Sequence, residues 1–313
     1  MRTWLAYIGY IMGPVLICLH AVFIGNDLLY KVDNTLILAQ SLYFLSFVKL
    51  LVGQLLSQFY YGWLYAQFGF FPNFFENTIP SNYVELAAPN SYKLSTMDAN
   101  IVRNAGWAFS LFLVFLGGWA VLTFICWLLK SVCHKPDAWH PRIAVNTIIG
   151  CGEFLSFPVF YWAVANLMYI GDSQNMSSGF NSTSRAVSIF FIIFICIYGT
   201  GRWFFNVLGG LYMYKRIIMA TILAGSYLDN RMLAPLVIME VVFCVVRYIV
   251  ESPEKYKHIW MMIIECLLHI SVYLLGYLSL SAGANTIIMS LVIFIMIVII
   301  AYGLTELYLE SRN

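Results

Sequence analysis

Residues 186–213 read AVSIFFIIFICIYGTGRWFFNVLGGLYM, an apolar run with Arg202 as its one charge. At about 1.5 Å rise per residue, a helix over this run is longer than the roughly 30 Å hydrocarbon core of a bilayer. Similar runs recur at about 4–24, 36–58, 106–129, 143–170, 233–250, 259–280 and 286–308. Of the 313 residues, 61% are apolar and 10% charged, too few charges to cover a water-facing exterior. The runs are continuous, unlike the short alternating strands of a membrane β-barrel. The sequence therefore predicts an all-α, polytopic transmembrane helix bundle of about eight spans, within a range of seven to nine. It reads as one integral-membrane domain over 1–313: two spans in 1–58, an aromatic interfacial or external segment in 59–105, and about six spans in 106–313.

The 59–105 segment holds Tyr60, Tyr61, Trp63, Phe68, Phe70, Phe71, Phe74 and Phe75, a density that suits the headgroup layer. The first run has too long an apolar stretch for a secretory signal, and no small-x-small cleavage site follows, so it is expected to be a retained span. Six of the seven cysteines lie in or at the edge of spans, which fits packing rather than a disulfide framework. A net charge of +2 gives no footprint for nucleic acid.

Two loops set the orientation. Residues 130–142, KSVCHKPDAWHPR, carry Lys130, Lys135 and Arg142 and are expected on the cytoplasmic side. Across one span, 171–184 (GDSQNMSSGFNSTS) is polar and holds two glycosylation acceptor sites, Asn175 and Asn181. Lys215 and Arg216 then read as the start of the next cytoplasmic loop, because 217–228 is apolar but too short to span. Counting from these anchors puts Met1, 59–105 and the C-terminus outside. It also leaves Lys255 and Lys257 in an external loop, against the charge rule, and one miscounted segment would reverse the C-terminus.

Ionisable groups inside spans are costly and draw attention to themselves. Glu153 follows Gly150-Cys151-Gly152 and Arg202 follows Gly199-Thr200-Gly201. Glu240 and Arg247 are about two turns apart on one span, and Glu265 and His269 share a face of the next. These six form either a polar pathway for a ligand or cation, or mutually neutralising pairs that fix helix packing. Gly199, Gly201, Gly209 and Gly210 are the expected points of close helix approach. Pro158 should kink the fourth span near Glu153.

No HExxH, paired aspartates or nucleophile elbow occurs, and the five histidines are scattered, so no enzyme chemistry, cofactor or metal is expected. The succession of residues 26–58, then FGFFPNFFENTIPSN at 68–82, then MDANIVRNAGWAFSLFLVFLGGWAVL at 97–122 resembles a known domain. It is similar to the transient-receptor-potential-like multi-pass domain that closes many cysteine-rich surface proteins of ciliates. The resemblance implies a polytopic helical fold, and the name implies cation conduction.

Three functions follow as expectations. The first is a non-catalytic anchor or scaffold of a larger membrane assembly, with lipids and other membrane subunits as partners. The second is a cation channel or transporter module working through Glu153, Glu240 and Glu265. The third is an accessory subunit of an organellar energy-transducing complex. The expected location is the plasma or another secretory-pathway membrane, with the mitochondrial inner membrane as the alternative.

Overall fold

The computed structural model describes residues 4–22, 29–47, 54–67, 71–79, 100–133, 140–169, 179–226, 233–250, 259–277 and 282–310. Among these residues there are ten α-helices, two short 3-10 segments and no strand. In chain order they are α1 (Trp4–Val22), α2 (Leu29–Leu45), α3 (Gln54–Tyr61), α4 (Ile101–Cys133), α5 (His140–Tyr169), α6 (Gly179–Phe205), α7 (Val207–Ser226), α8 (Ala234–Val250), α9 (Ile259–Tyr277) and α10 (Ala282–Glu310). Among the described residues, four stretches are long and apolar enough to cross a membrane: Ile101–Ile125, Gly179–Phe205, Val207–Ser226 and Gly283–Tyr302.

The expected span boundaries fail in two places. The run at 36–58 is not one helix. Helix α2 begins earlier, at Leu29, and ends in a turn at Ser46–Phe47, before α3. The run at 186–213 is two helices that reverse at Asn206. Its side-chain Oδ1 accepts the Gly209 amide at 2.9 Å, which caps the first turn of α7. Helices α6 and α7 then fold back as a hairpin, with Trp203 edge-on to Tyr214 and the Thr200 and Tyr214 hydroxyls 3.0 Å apart. Only a glycine fits at 210, since an added Cβ would stand 2.5 Å from the Trp203 Cα. At 209 a Cβ would meet the Arg202 guanidinium, and at 199 it would make ordinary contact with Met213 and Ile217. At Gly201 it would meet nothing within 4 Å, so the expected close approach is absent there.

Helix α7 packs against α2, α5, α6 and α8 and forms the centre of the molecule. Helix α5 runs unbroken through Pro158, which has no N–H to offer the carbonyl four residues back. Gln40 of α2 donates its Nε2 to that Phe154 carbonyl at 3.2 Å. Phe44 of α2 stacks on Tyr161 of α5 with ring centroids 3.9 Å apart.

The expected aromatic interface divides. Phe59, Tyr60 and Trp63 are buried, and the chain at Gly62 lies so close to Gly9 of α1 that no side chain fits there. By contrast, Phe74 is exposed, and residues 71–79 lie on the start of α4. Asn73 donates to the Val102 carbonyl at 3.0 Å, and the Phe74 amide donates to Ser110 Oγ at 2.8 Å. Asn73 occupies the space that a side chain at Gly106 would fill.

Burial is inverted relative to a water-soluble bundle. On α8 the buried positions are Leu236, Glu240, Phe243 and Arg247, while Ile238, Val241, Val242, Val245 and Ile249 are exposed. The same 3.6-residue periodicity that gives a helix two faces here puts charge inside and hydrocarbon outside. Helices α4, α6 and α10 likewise expose Phe112, Trp127, Phe190, Phe204, Phe205 and Phe294.

Candidate functional site: a charged interior

The polar side chains of five helices meet around α7. Lys215 and Arg216, read from sequence as the start of a loop, lie near the middle of this helix and are 2% and 1% exposed. That expectation was wrong because apolar residues resume after the pair and carry the helix to Ser226. A lysine and an arginine in succession point to adjacent sides of the helix, about 100° apart. They therefore organise two different groups of acids.

Lys215 faces α2, α8 and α9. Its Nζ donates to Glu240 Oε2 at 2.8 Å and to Asn34 Oδ1 at 2.7 Å, and it lies 3.3 Å from His269 Nδ1. Glu240 uses its other oxygen on His269, 2.7 Å away. Asn34 turns its amide to Glu265 Oε2 at 2.9 Å, and Arg247 donates to the same oxygen at 2.7 Å. The Lys215 ammonium also sits 4.3 Å from the centre of the Phe243 ring, on the ring's negative face. Beside these groups, a cavity of about 10 Å³ is lined by Cys244 and Cys266. That is room for about one water molecule.

Arg216 faces the other way, toward α2 and α5. It pairs with Asp33. Glu153 of α5 lies within electrostatic range of both and contacts Arg202 of α6 at 2.7 Å. Among the described residues, the interior thus holds four acids (Asp33, Glu153, Glu240, Glu265) and four fixed cations (Arg202, Lys215, Arg216, Arg247), with His269 besides. Four negative against four positive charges leave the network neutral when His269 is neutral.

The six ionisable residues singled out from sequence all fall within this network, but in two branches: Glu153 with Arg202, and Glu240, Arg247, Glu265 and His269 with Lys215. Sequence reasoning missed Asp33, Asn34, Lys215 and Arg216, which join the branches. The signal was a helical pattern running on either side of each pair. It was overridden by the rule that charges begin a loop.

A second polar lock joins α5 to α6. Asn166 donates to the Ser184 carbonyl at 3.1 Å and to Ser188 Oγ at 2.7 Å, while Ser184 Oγ donates back to Asn166 Oδ1 at 3.2 Å. Asn181, one of the two expected glycan acceptors, lies on α6 and is 5% exposed. A side chain so enclosed leaves no space for a sugar, so the geometry disfavours that site. Asn175, the other acceptor, lies outside the described residues.

Among the described residues, no group of His, Cys, Asp or Glu is arranged to hold a metal ion. No protein-family model, curated protein or solved structure matches the chain.

Proposed function

We propose that the protein is an integral-membrane anchor or scaffold whose charged interior locks its helices and whose apolar exterior meets lipid and neighbouring subunits. The observation that carries this reading is the mutual neutralisation of the interior: each of the four acids contacts a cation, and the cavity beside them is about 10 Å³. An ion path instead needs surplus charge of one sign or a water-lined passage. The inverted burial of α8 supports the membrane setting, because in hydrocarbon the apolar face is the solvated one.

The α6–α7 hairpin adds a crossing, which makes nine passes: α1, α2 and α4 to α10. With 130–142 inside and 171–178 outside, this count puts 251–258 and the C-terminus in the cytoplasm. Lys255 and Lys257 then obey the positive-inside rule that an eight-span count breaks.

The test is reconstitution of the full chain in liposomes, with proton- and potassium-sensitive dyes, beside purification from native membranes. The anchor reading expects flux at the level of protein-free liposomes and co-purification with membrane subunits in fixed ratio. A flux lost in Glu153→Gln or Glu240→Gln would overturn it. The transport reading has one observation in its favour, the unbroken chain Lys215–Glu240–His269 of groups able to exchange a proton.

A further inference from the structure

Helical spacing puts Glu240, Cys244 and Arg247 on one stripe of α8, and Met262, Glu265, Cys266 and His269 on one stripe of α9. The two stripes face each other. The Cys266 thiol reaches the Glu240 carbonyl at 3.6 Å, one turn before Cys244. The Cys244 thiol reaches the Met262 carbonyl at 3.9 Å, one turn before Cys266. This reciprocal contact belongs to two antiparallel helices meeting at their cysteines, and the thiols lie within hydrogen-bonding reach of each other.

Cys244, Cys266 and Met262 also line the cavity of about 10 Å³ beside the charged network. The acids of its wall are already engaged. Glu240 gives one oxygen to Lys215 and the other to His269, and Glu265 holds Asn34 and Arg247. The donors left facing the space are the three sulfurs.

We propose that Cys244 and Cys266, with the Met262 thioether as a weaker third ligand, bind one soft monovalent cation of the copper(I) class. Thiolate and thioether sulfur select such ions. A cavity sized for one water also takes one ion of this kind. Magnesium or calcium would need six or more oxygens, which the engaged carboxylates cannot supply. Zinc takes four ligands, and among the described residues no three His, Cys, Asp or Glu side chains are arranged to hold a metal ion. As the ion enters, one thiol releases its proton to solvent and its sulfur binds as thiolate. The second thiol and the thioether each donate a lone pair, and no electron is transferred. One monovalent cation thus replaces one proton, so the neutral interior stays neutral. Both cysteines are partly exposed, which gives the ion an entry. This inference stands apart from the anchor reading, since a scaffold and a transporter could both hold such an ion.

The test is an anaerobic titration of the full chain in detergent with copper(I), in competition with the chelator bicinchoninate. The native chain should withhold one more ion than the chain with Cys244→Ser and Cys266→Ser, whatever the other cysteines bind. At one ion per chain, copper-edge X-ray absorption should show a shell of sulfur alone, and Met262→Leu should reduce it from three sulfurs to two. Equal copper content in the native and doubly substituted chains would overturn the proposal. So would nitrogen or oxygen in the native shell, or a shell unchanged by Met262→Leu. The absorption measurement on the native chain needs no substitution, so it decides the matter even if the serine variant fails to fold.

Discussion

Lys215 touches a side chain from each of three other helices, Asn34, Glu240 and His269. An ammonium group in a low-dielectric interior is tolerable only when all its donors find acceptors, and this one has two within 2.8 Å. Lys215→Met removes the cation and leaves Glu240 with only His269 to balance it. Breaking a buried pair from one side costs roughly 3–5 kcal/mol, so the variant should unfold at much lower denaturant concentration in detergent. Lys215→Met with Glu240→Gln removes both charges and should recover part of that loss. A double-mutant cycle with coupling of about 1 kcal/mol or more is expected. Simple additivity would mean that the two groups act independently. Gln40 illustrates the same economy with neutral groups, since it reaches a carbonyl to which Pro158 cannot donate.

The α6–α7 hairpin is held by what its glycines lack. At Gly210 a side chain would be driven into the Trp203 backbone, which cannot swing aside as a flexible side chain can. Gly210→Leu should therefore prevent the two helices from closing and collapse expression of folded protein. Gly201→Leu, two turns earlier and facing open space, should change stability by less than about 0.5 kcal/mol. Equal effects of the two substitutions in a thermal-stability assay would refute the hairpin geometry. Much else at this scale was readable from sequence. The helices at 233–250 and 259–280 could be placed because the charged, proline-bearing connection 251–258 separates them. The reversal at Asn206 was hidden, because it sits inside an unbroken apolar run and its cap is a single side chain. Asp33 and Lys215 were hidden by the opposite error. Lys215 was read as the start of a loop and Asp33 fell before the run expected to start at 36, yet each lies inside because a partner distant in sequence makes burial tolerable.

For the whole molecule, the proposed nine crossings place the C-terminus opposite residues 171–178. Proteolysis of sealed vesicles should clip a C-terminal tag from the side on which a cysteine introduced at Ser173 is unlabelled by a membrane-impermeant maleimide. Cleavage and labelling from one side would reject the odd count and restore an even one. The apolar periphery was legible in composition, and the neutral charged interior was only partly legible, through the six ionisable residues, Arg202 among them, spaced on four of the later spans. The remainder depended on contacts between segments far apart in the chain. Asp33 meets Arg216 across 183 positions, and Asn34 meets Glu265 across 231. That separation has a consequence for biosynthesis. At roughly 5–20 residues per second, a ribosome needs about 10–40 seconds after making Asp33 to supply Arg216. On the proposed nine crossings, the nascent second helix carries an unmatched carboxylate in its first turns throughout that interval, and ionisable groups within spans are costly. On that reading the second helix settles in the membrane only once α7 has been made and brings Arg216 to Asp33.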